Sequence, residues 1–98
     1  MNSQYGIFGL AAASRNVSIG ETLVKEIRSR RCKYVVIADN ASDNTKKRLI
    51  DKCTYYHVKY GFIESSEILS NAIGKSNIKA VGILDYGFAK KIEEILKG

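Results

Sequence analysis

The stretch KYVVIADNASDNTKKRLIDKC, Lys33 to Cys53, decides the fold class. Tyr34 to Ala38 is an almost wholly apolar strand that stops abruptly at the polar cluster Asp39, Asn40, Ala41, Ser42 and Asp43. A basic helix follows, opening with Asn44-Thr45-Lys46-Lys47-Arg48. A buried strand that feeds a polar turn and then a helix start is the elementary unit of an α/β domain. Such folds carry their working residues in the loops at the strand ends. Here those residues are basic and hold no catalytic set, which points to binding an anion, RNA above all.

Working outward, the same alternation recurs on both sides. Met1 to Gln4 reads as a loose end, and the small apolar run Ile7 to Ala13 as a closely packed first helix, broken by Arg15 to Ser18. Ser18 is placed to cap a second helix from about Ile19 to Arg30, with Glu21 in the capping-box position. Ile19, Leu23, Val24 and Ile27 recur at helical spacing and should face the core, while Glu21, Lys25 and Arg28 form a separate polar stripe. The central strand is Lys33 to Ala38. A third helix runs from about Asp43 to Tyr55, turning Leu49, Ile50 and Cys53 inward along with Tyr56 just beyond it.

Val58 to Ile63 is a shorter strand. Ser65 or Ser66 caps a fourth helix that ends near Gly74, glycine being the natural terminator. Ile78 to Leu84 is a strand apolar enough to be buried on both faces. The last helix, about Gly87 to Lys97, buries Phe88, Ile92, Ile95 and Leu96. Strands alternating with helices predict largely parallel pairing through right-handed crossovers.

Ninety-eight residues suit one domain with a modest core, and an apolar content of 45% argues against disorder. Lysine and arginine number 16 against 10 acidic residues, giving a net charge of +6 and a pI of about 9.4. That excess suits a polyanionic partner, because neutralising phosphates releases counterions. Cys32 and Cys53 lack Cys-x-x-Cys spacing and the chain has one histidine, so no zinc site or other cofactor is expected. Cys53 reads as a small core residue beside Leu49 and Ile50. No apolar run approaches the roughly 20 residues that cross a bilayer. Met1 to Tyr5 is too short and polar for a signal peptide, so a reducing cytoplasm is the expected compartment.

Other motifs read as structural. His57 has no nucleophile in context and is taken as a structural or surface residue, and Tyr55, Tyr56 and Tyr60 as core and edge packing. Gly6, Gly9 and Gly20 follow no strand and so make no dinucleotide fingerprint. Gly74-Lys75-Ser76 mimics the end of a phosphate loop but lacks the upstream glycine and follows a helix. The basic residues cluster more persuasively. Lys25, Arg28, Arg30, Arg31 and Lys33 occupy the second helix and its exit, and Lys75 and Lys79 flank the loop before the last strand. If the start of the second helix meets that loop at one end of the domain, a helix N-terminus would stand beside lysines and the polar pair Ser76 and Asn77. Such a surface suits a bent RNA read by its shape and unpaired bases.

These residues resemble the kink-turn-binding ribosomal proteins of the L-seven-Ae/L-thirty-e type, and most closely their small bacterial YlxQ-like branch. The resemblance runs from Phe8-Gly9-Leu10-Ala11 to Gly87-Phe88-Ala89-Lys90-Lys91. It is strongest in Ala41-Ser42-Asp43-Asn44-Thr45-Lys46-Lys47, in Asp51-Lys52-Cys53 with Tyr55-Tyr56, and in Asn71-Ala72-Ile73-Gly74-Lys75. It implies a three-layer α/β/α sandwich around a small four-stranded mixed sheet, with residues 1–98 as one RNA-binding ribosomal-protein-like domain.

The resemblance also implies a non-enzymatic role, the binding of kink-turn RNA, in which tandem sheared G·A pairs adjoin a sharp bend. Family members read the guanines with a Gly-x-Asn-Glu-x-x-Lys segment at the start of the second helix. With that lysine anchored on Lys25, Glu21 falls at the asparagine position and Thr22 at the glutamate position, while Ile19 takes the glycine position with Gly20 one residue late. Glu21 accepts hydrogen bonds from a guanine edge but cannot donate as asparagine does. On this reading Lys25, Arg28 and Lys33 contact phosphate, Glu21 and Thr22 face base edges, and Lys75, Ser76, Asn77 and Ile78 close over the bend. The expected partners are structured RNA, a kink-turn or ribosomal RNA, together with ribosomal or assembly proteins, and no membrane. The alternative is a protein-interaction or ribosome-assembly accessory domain that keeps the fold without kink-turn specificity.

Overall fold

The computed structural model describes residues 3–97. Its central element is β2 (Tyr34–Ala38), every residue of which is buried. Strand alternation divides these side chains between two cores. Tyr34, Val36 and Ala38 face one side with Phe8, Ile63, Leu69, Ile83 and Ile92, whereas Val35 and Ile37 face the other with Leu23, Ile27, Leu49 and Cys53. Helices α1 (Gly6–Ala13), α4 (Ser66–Ile73) and α5 (Tyr86–Lys97) cover the first face, and α2 (Gly20–Arg28) and α3 (Asp43–Tyr56) the second. The product is a three-layer α/β/α sandwich.

The sheet has four strands in the order β1-β4-β2-β3, with β1 at Val17–Ser18, β3 at Lys59–Ile63 and β4 at Ala80–Ile83. Only β2 and β3 run parallel; β4 is antiparallel to both β2 and β1. The expectation of largely parallel pairing is therefore corrected, and the mixed sheet implied by the family resemblance is the one observed. An apolar run such as Ala80–Ile83 reads the same in either direction, so the pattern carries no sign that β4 enters antiparallel beside β2. The two residues of β1 carry no period-2 signal and read in sequence as a mere break, yet they take the outer edge of β4. Met1 and Asn2, expected as a loose end, lie outside the described residues; Ser3–Tyr5 form a 3₁₀ turn leading into α1.

Local chemistry sets the helix ends. The Ser42 hydroxyl accepts the Thr45 N–H at 3.2 Å, and the Ser65 hydroxyl accepts the Ile68 N–H at 3.2 Å, capping α3 and α4. Asp85 does the same for α5, accepting the Phe88 N–H at 2.9 Å. The polar turn after β2 works structurally too: the Asn40 side chain accepts the Ser66 N–H at 2.9 Å at the mouth of α4. Ser18 does not cap α2. It is consumed by β1, where it sits opposite Gly82 and is buried, and Ile19 occupies the cap position without a side-chain bond. Gly20 then turns the chain into the helix at φ +62°, a conformation that costs glycine little.

Candidate nucleic-acid interface

Antiparallel pairing brings the start of α2 to the loop before β4. Ser18 lies opposite Gly82, so the chain leaving Ser18 runs back toward Ala80, and Gly20 arrives beside the entry to β4. The loop itself, residues 74–79, is held from three sides. Gly74 ends α4 at φ +73°. The Ser70 hydroxyl accepts the Ile78 N–H at 2.8 Å. The Lys79 carbonyl accepts the Ala38 N–H at 2.8 Å, tying the loop to the end of β2. Asn77 adopts φ +59°, a turn that asparagine tolerates better than most side chains.

Between these elements lies a groove of about 360 Å³. Ile19, Leu23, Val24, Leu49, Ile78 and Ala80 make its apolar lining, Gly20, Thr45 and Asn77 add small polar groups, and Arg48 and Lys79 bring positive charge. No carboxylate lines it among the described residues. Such a site accepts a flat apolar group carrying a negative charge nearby, the description of an unstacked nucleotide. Arg48 also borders a neighbouring hollow with Asp51, Lys52, Tyr55 and Tyr56. Thr45 and Arg48 were not among the residues expected at the interface. Their spacing of three along α3 was the available signal, but only the packing of α3 against α2 turns it toward the groove.

The structure treats the expected site residues unequally. Gly20, Asn77 and Ile78 line the groove. Glu21, Thr22 and Lys25 are exposed on adjoining faces of the first turns of α2, with Glu21 and Lys25 one above the other at i,i+4. Lys75 and Ser76 lie on the other side of the loop, lining a hollow with Ser66, Glu67, Ser70 and Asn71. Arg28 is exposed in the last turn of α2, roughly 12 Å along the axis from Gly20 at 1.5 Å per residue. Lys33 is not brought to this surface. It precedes β2, whereas the groove lies at the strand's other end.

The cations here form no close ion pair, though Lys79 lies near enough to the Glu67 carboxylate to feel its charge. Lys25, Arg48, Lys75 and Lys79 make no ion pair among the described residues, whereas Lys46 and Lys47 are engaged by Asp39 at 3.9 Å and Asp51 at 3.2 Å. Lys79 donates instead to the Ser66 hydroxyl at 3.3 Å, which orients it without neutralising it. The Glu67 carboxyl in the neighbouring hollow is held below its usual range by its own backbone N–H first and then by Asn40.

His57 sits exposed at the C-terminal end of α3, in the left-handed conformation at φ +61°. The reading of the tyrosines as packing holds for Tyr56, half-buried against the second core. It fails for Tyr55, which is 75% exposed and packs edge-to-face with Tyr56, at 4.8 Å between ring centroids. Helical pitch points position 55 outward even though its neighbour at 56 points in. Cys53 is fully buried, as expected, and burial pushes its thiol up to about 12.

Comparison with known proteins fits this geometry. Residues 5–93 match the Ribosomal protein L7Ae/L30e/S12e/Gadd45 family. The chain is 44% identical over 93 residues to "RNA-binding protein YlxQ" of Bacillus subtilis (strain 168), covering 94% of this chain and 93% of that protein. It is 40% identical over 93 residues to the protein of the same name from Enterococcus faecium, covering 94% and 89%. A solved protein of unknown function from Bacillus halodurans C superposes with a TM-score of 0.93 at 29% identity, over 100% of both chains. The Giardia lamblia 15.5kD RNA binding protein shares the fold, with a TM-score of 0.77 at 21% identity over 95% of this chain and 81% of that one.

Proposed function

The chain belongs to the Ribosomal protein L7Ae/L30e/S12e/Gadd45 family, and from that membership we propose that it binds structured RNA containing a kink-turn or a similar bend, in the cytoplasm and in association with ribosomal RNA. It is a binding protein and not an enzyme, in keeping with its family and with its curated relatives named as RNA-binding proteins. The observation that carries the reading is the groove between the start of α2 and the loop 74–79, aliphatic inside, flanked by Arg48 and Lys79 and lined by no carboxylate among the described residues.

On this reading the nucleotide extruded at the bend enters the groove and lies against Ile78, Leu23 and Val24. Its flanking phosphates meet Arg48 and Lys79, and those of the adjoining stem meet Lys25 and Lys75. Glu21 and Thr22, exposed beside them, face the sheared G·A pairs. Ser76 and Asn77 supply polar contacts from the loop, and Arg28 extends the basic flank up α2. Glu21 favours the second reading, an assembly accessory domain without kink-turn specificity, because a carboxylate accepts from guanine but repels phosphate.

A titration against a kink-turn RNA and against the same RNA with its G·A pairs replaced separates the two. Affinity at least tenfold tighter for the intact motif, roughly 1.4 kcal/mol, is the expected result. Equal affinity, lost for both at moderate salt, establishes the second reading instead.

A further inference from the structure

At the end of the sheet away from the groove, a cleft of about 370 Å³ opens where α2 and α3 leave off and α5 crosses the starts of β2 and β3. Its walls carry Arg30, Lys33, Lys59, Lys90, His57 and the exposed ring of Tyr86. One carboxylate joins them, Glu93, and it is already engaged by Lys59 at 3.6 Å and Lys97 at 3.3 Å. Arg30, Lys33 and Lys90 make no ion pair among the described residues.

Helix termini explain only part of this cluster. Arg30 and His57 stand at the C-terminal ends of α2 and α3 at φ +64° and +61°, where positive charge suits the helix dipole. Lys33 and Lys59 are not at helix ends, and Lys90 lies in the N-terminal half of α5, where the dipole disfavours a cation. A second feature points to a ligand. Tyr86, at the start of α5, leaves its ring 69% exposed on the wall of the same cleft. A solvent-facing aromatic ring beside cations without ion pairs is the arrangement that holds a nucleotide, its base on the ring and its phosphate on the charge.

We propose that this cleft is a second RNA contact, separate from the groove, which takes one nucleotide of a single strand. Its phosphate sits among Arg30, Lys33 and Lys90, and the base stacks on the exposed ring of Tyr86. The combination of a positive hollow and one accessible aromatic face binds unpaired nucleotides with little regard to sequence. A free nucleotide offers the same phosphate and base, so the test has to distinguish it from a strand.

The ¹⁵N-labelled protein is titrated with hexauridylate and, in parallel, with uridine monophosphate, following backbone amide shifts. The expected result is saturable shifts at Lys33, Lys59, Tyr86 and Lys90, with hexauridylate at least tenfold tighter than the monophosphate. In the exposed-residue variants Tyr86→Ala and Lys33→Gln/Lys90→Gln, hexauridylate affinity falls at least fivefold while affinity for a kink-turn RNA stays within twofold. Shifts confined to the groove residues Gly20, Asn77 and Ile78, or unchanged affinity in both variants, overturn the proposal. Equal affinity for the two ligands also overturns it, since the cleft is then a site for free nucleotides.

Discussion

Ser70 and Ile78 form a two-way bridge: the Ser70 hydroxyl accepts the Ile78 N–H at 2.8 Å and donates to the Ile78 carbonyl at 3.5 Å. A side chain on α4 thus supplies the pairing that a neighbouring strand would otherwise give the loop. Ser70 is itself buried, so the bridge is shielded from competing water. Ser70→Ala removes both bonds and leaves the Ile78 amide unpaired, which costs about 1–2 kcal/mol. Urea unfolding should show that loss, and kink-turn affinity should fall several-fold as the loop loosens. A variant that loses stability but binds as tightly as before would show that the loop does not need to be held in advance.

The basic rim separates into contacts that act together and one that does not. Lys25→Ala and Arg48→Ala should each weaken kink-turn binding by about 1–3 kcal/mol and lower the salt slope by about one. Lys33→Ala should leave both unchanged, because Lys33 lies at the far end of the sheet. Fluorescence anisotropy at several salt concentrations measures all three. An equal loss from Lys33→Ala would mean that the RNA wraps from one end of the sheet to the other.

Gly20 enters α2 at φ +62° with nothing near enough to obstruct a Cβ, so a substitution there tests backbone strain alone. Gly20→Ala should cost about 1–2 kcal/mol, the penalty of the left-handed region for a residue with a side chain. RNA affinity should drop with it, since the first turn of α2 would swing to relieve the strain. Gly20→Asn, better suited to that conformation, should recover part of both.

Gly61 is small for a different reason. A Cβ there would collide with the Tyr34 hydroxyl and press on its ring carbon at 3.1 Å. Tyr34 is buried and cannot swing away, so Gly61→Ala should destabilise by about 1–3 kcal/mol. In a Tyr34→Phe background the cost should shrink, since the hydroxyl is gone. A double-mutant cycle by urea denaturation reads this coupling directly.

The two buried thiols should make the fold sensitive to alkali. Burial raises Cys32 to about 11 and Cys53 to about 12, from about 9 for an exposed thiol. A raised value means that the native state holds its proton while the unfolded chain releases it. The associated stability is therefore complete below about pH 9 and is lost as pH climbs through 11 to 12. Between pH 8 and pH 10 the unfolding free energy should fall by roughly 1–3 kcal/mol. Cys32→Ala should flatten that fall, which a series of urea curves at constant ionic strength would show.

Much of the fold was legible because the apolar periods are strong. Leu23 with Ile27, Leu49 with Cys53, and the unbroken run Tyr34 to Ala38 each announce an element and its buried face. Ser42, Ser65 and Gly74 mark helix ends by chemistry that acts within four residues. The failures share one physical cause. Val17 and Ser18 become a strand only because β4 is there to pair with, and that pairing takes Ser18 away from the helix it was expected to cap. Tyr55 gives no hint of exposure apart from the pitch of α3.

The interface divides along the same line. The sequence by itself determined a basic α/β chain, the helix carrying Glu21, Thr22 and Lys25, the polar loop Lys75 to Ile78, and through its motifs the family. It could not decide which of these residues meet. That depended on the direction of β4, because antiparallel pairing of Ser18 with Gly82 returns the chain to Ala80 and sets Gly20 against Asn77 and Ile78. The same sheet sends Lys33 to its opposite end, where it joins Lys90 and Tyr86. Periodicity and capping are local properties of the chain. Strand direction is decided by contacts between residues far apart in sequence, and only the folded sheet settles it.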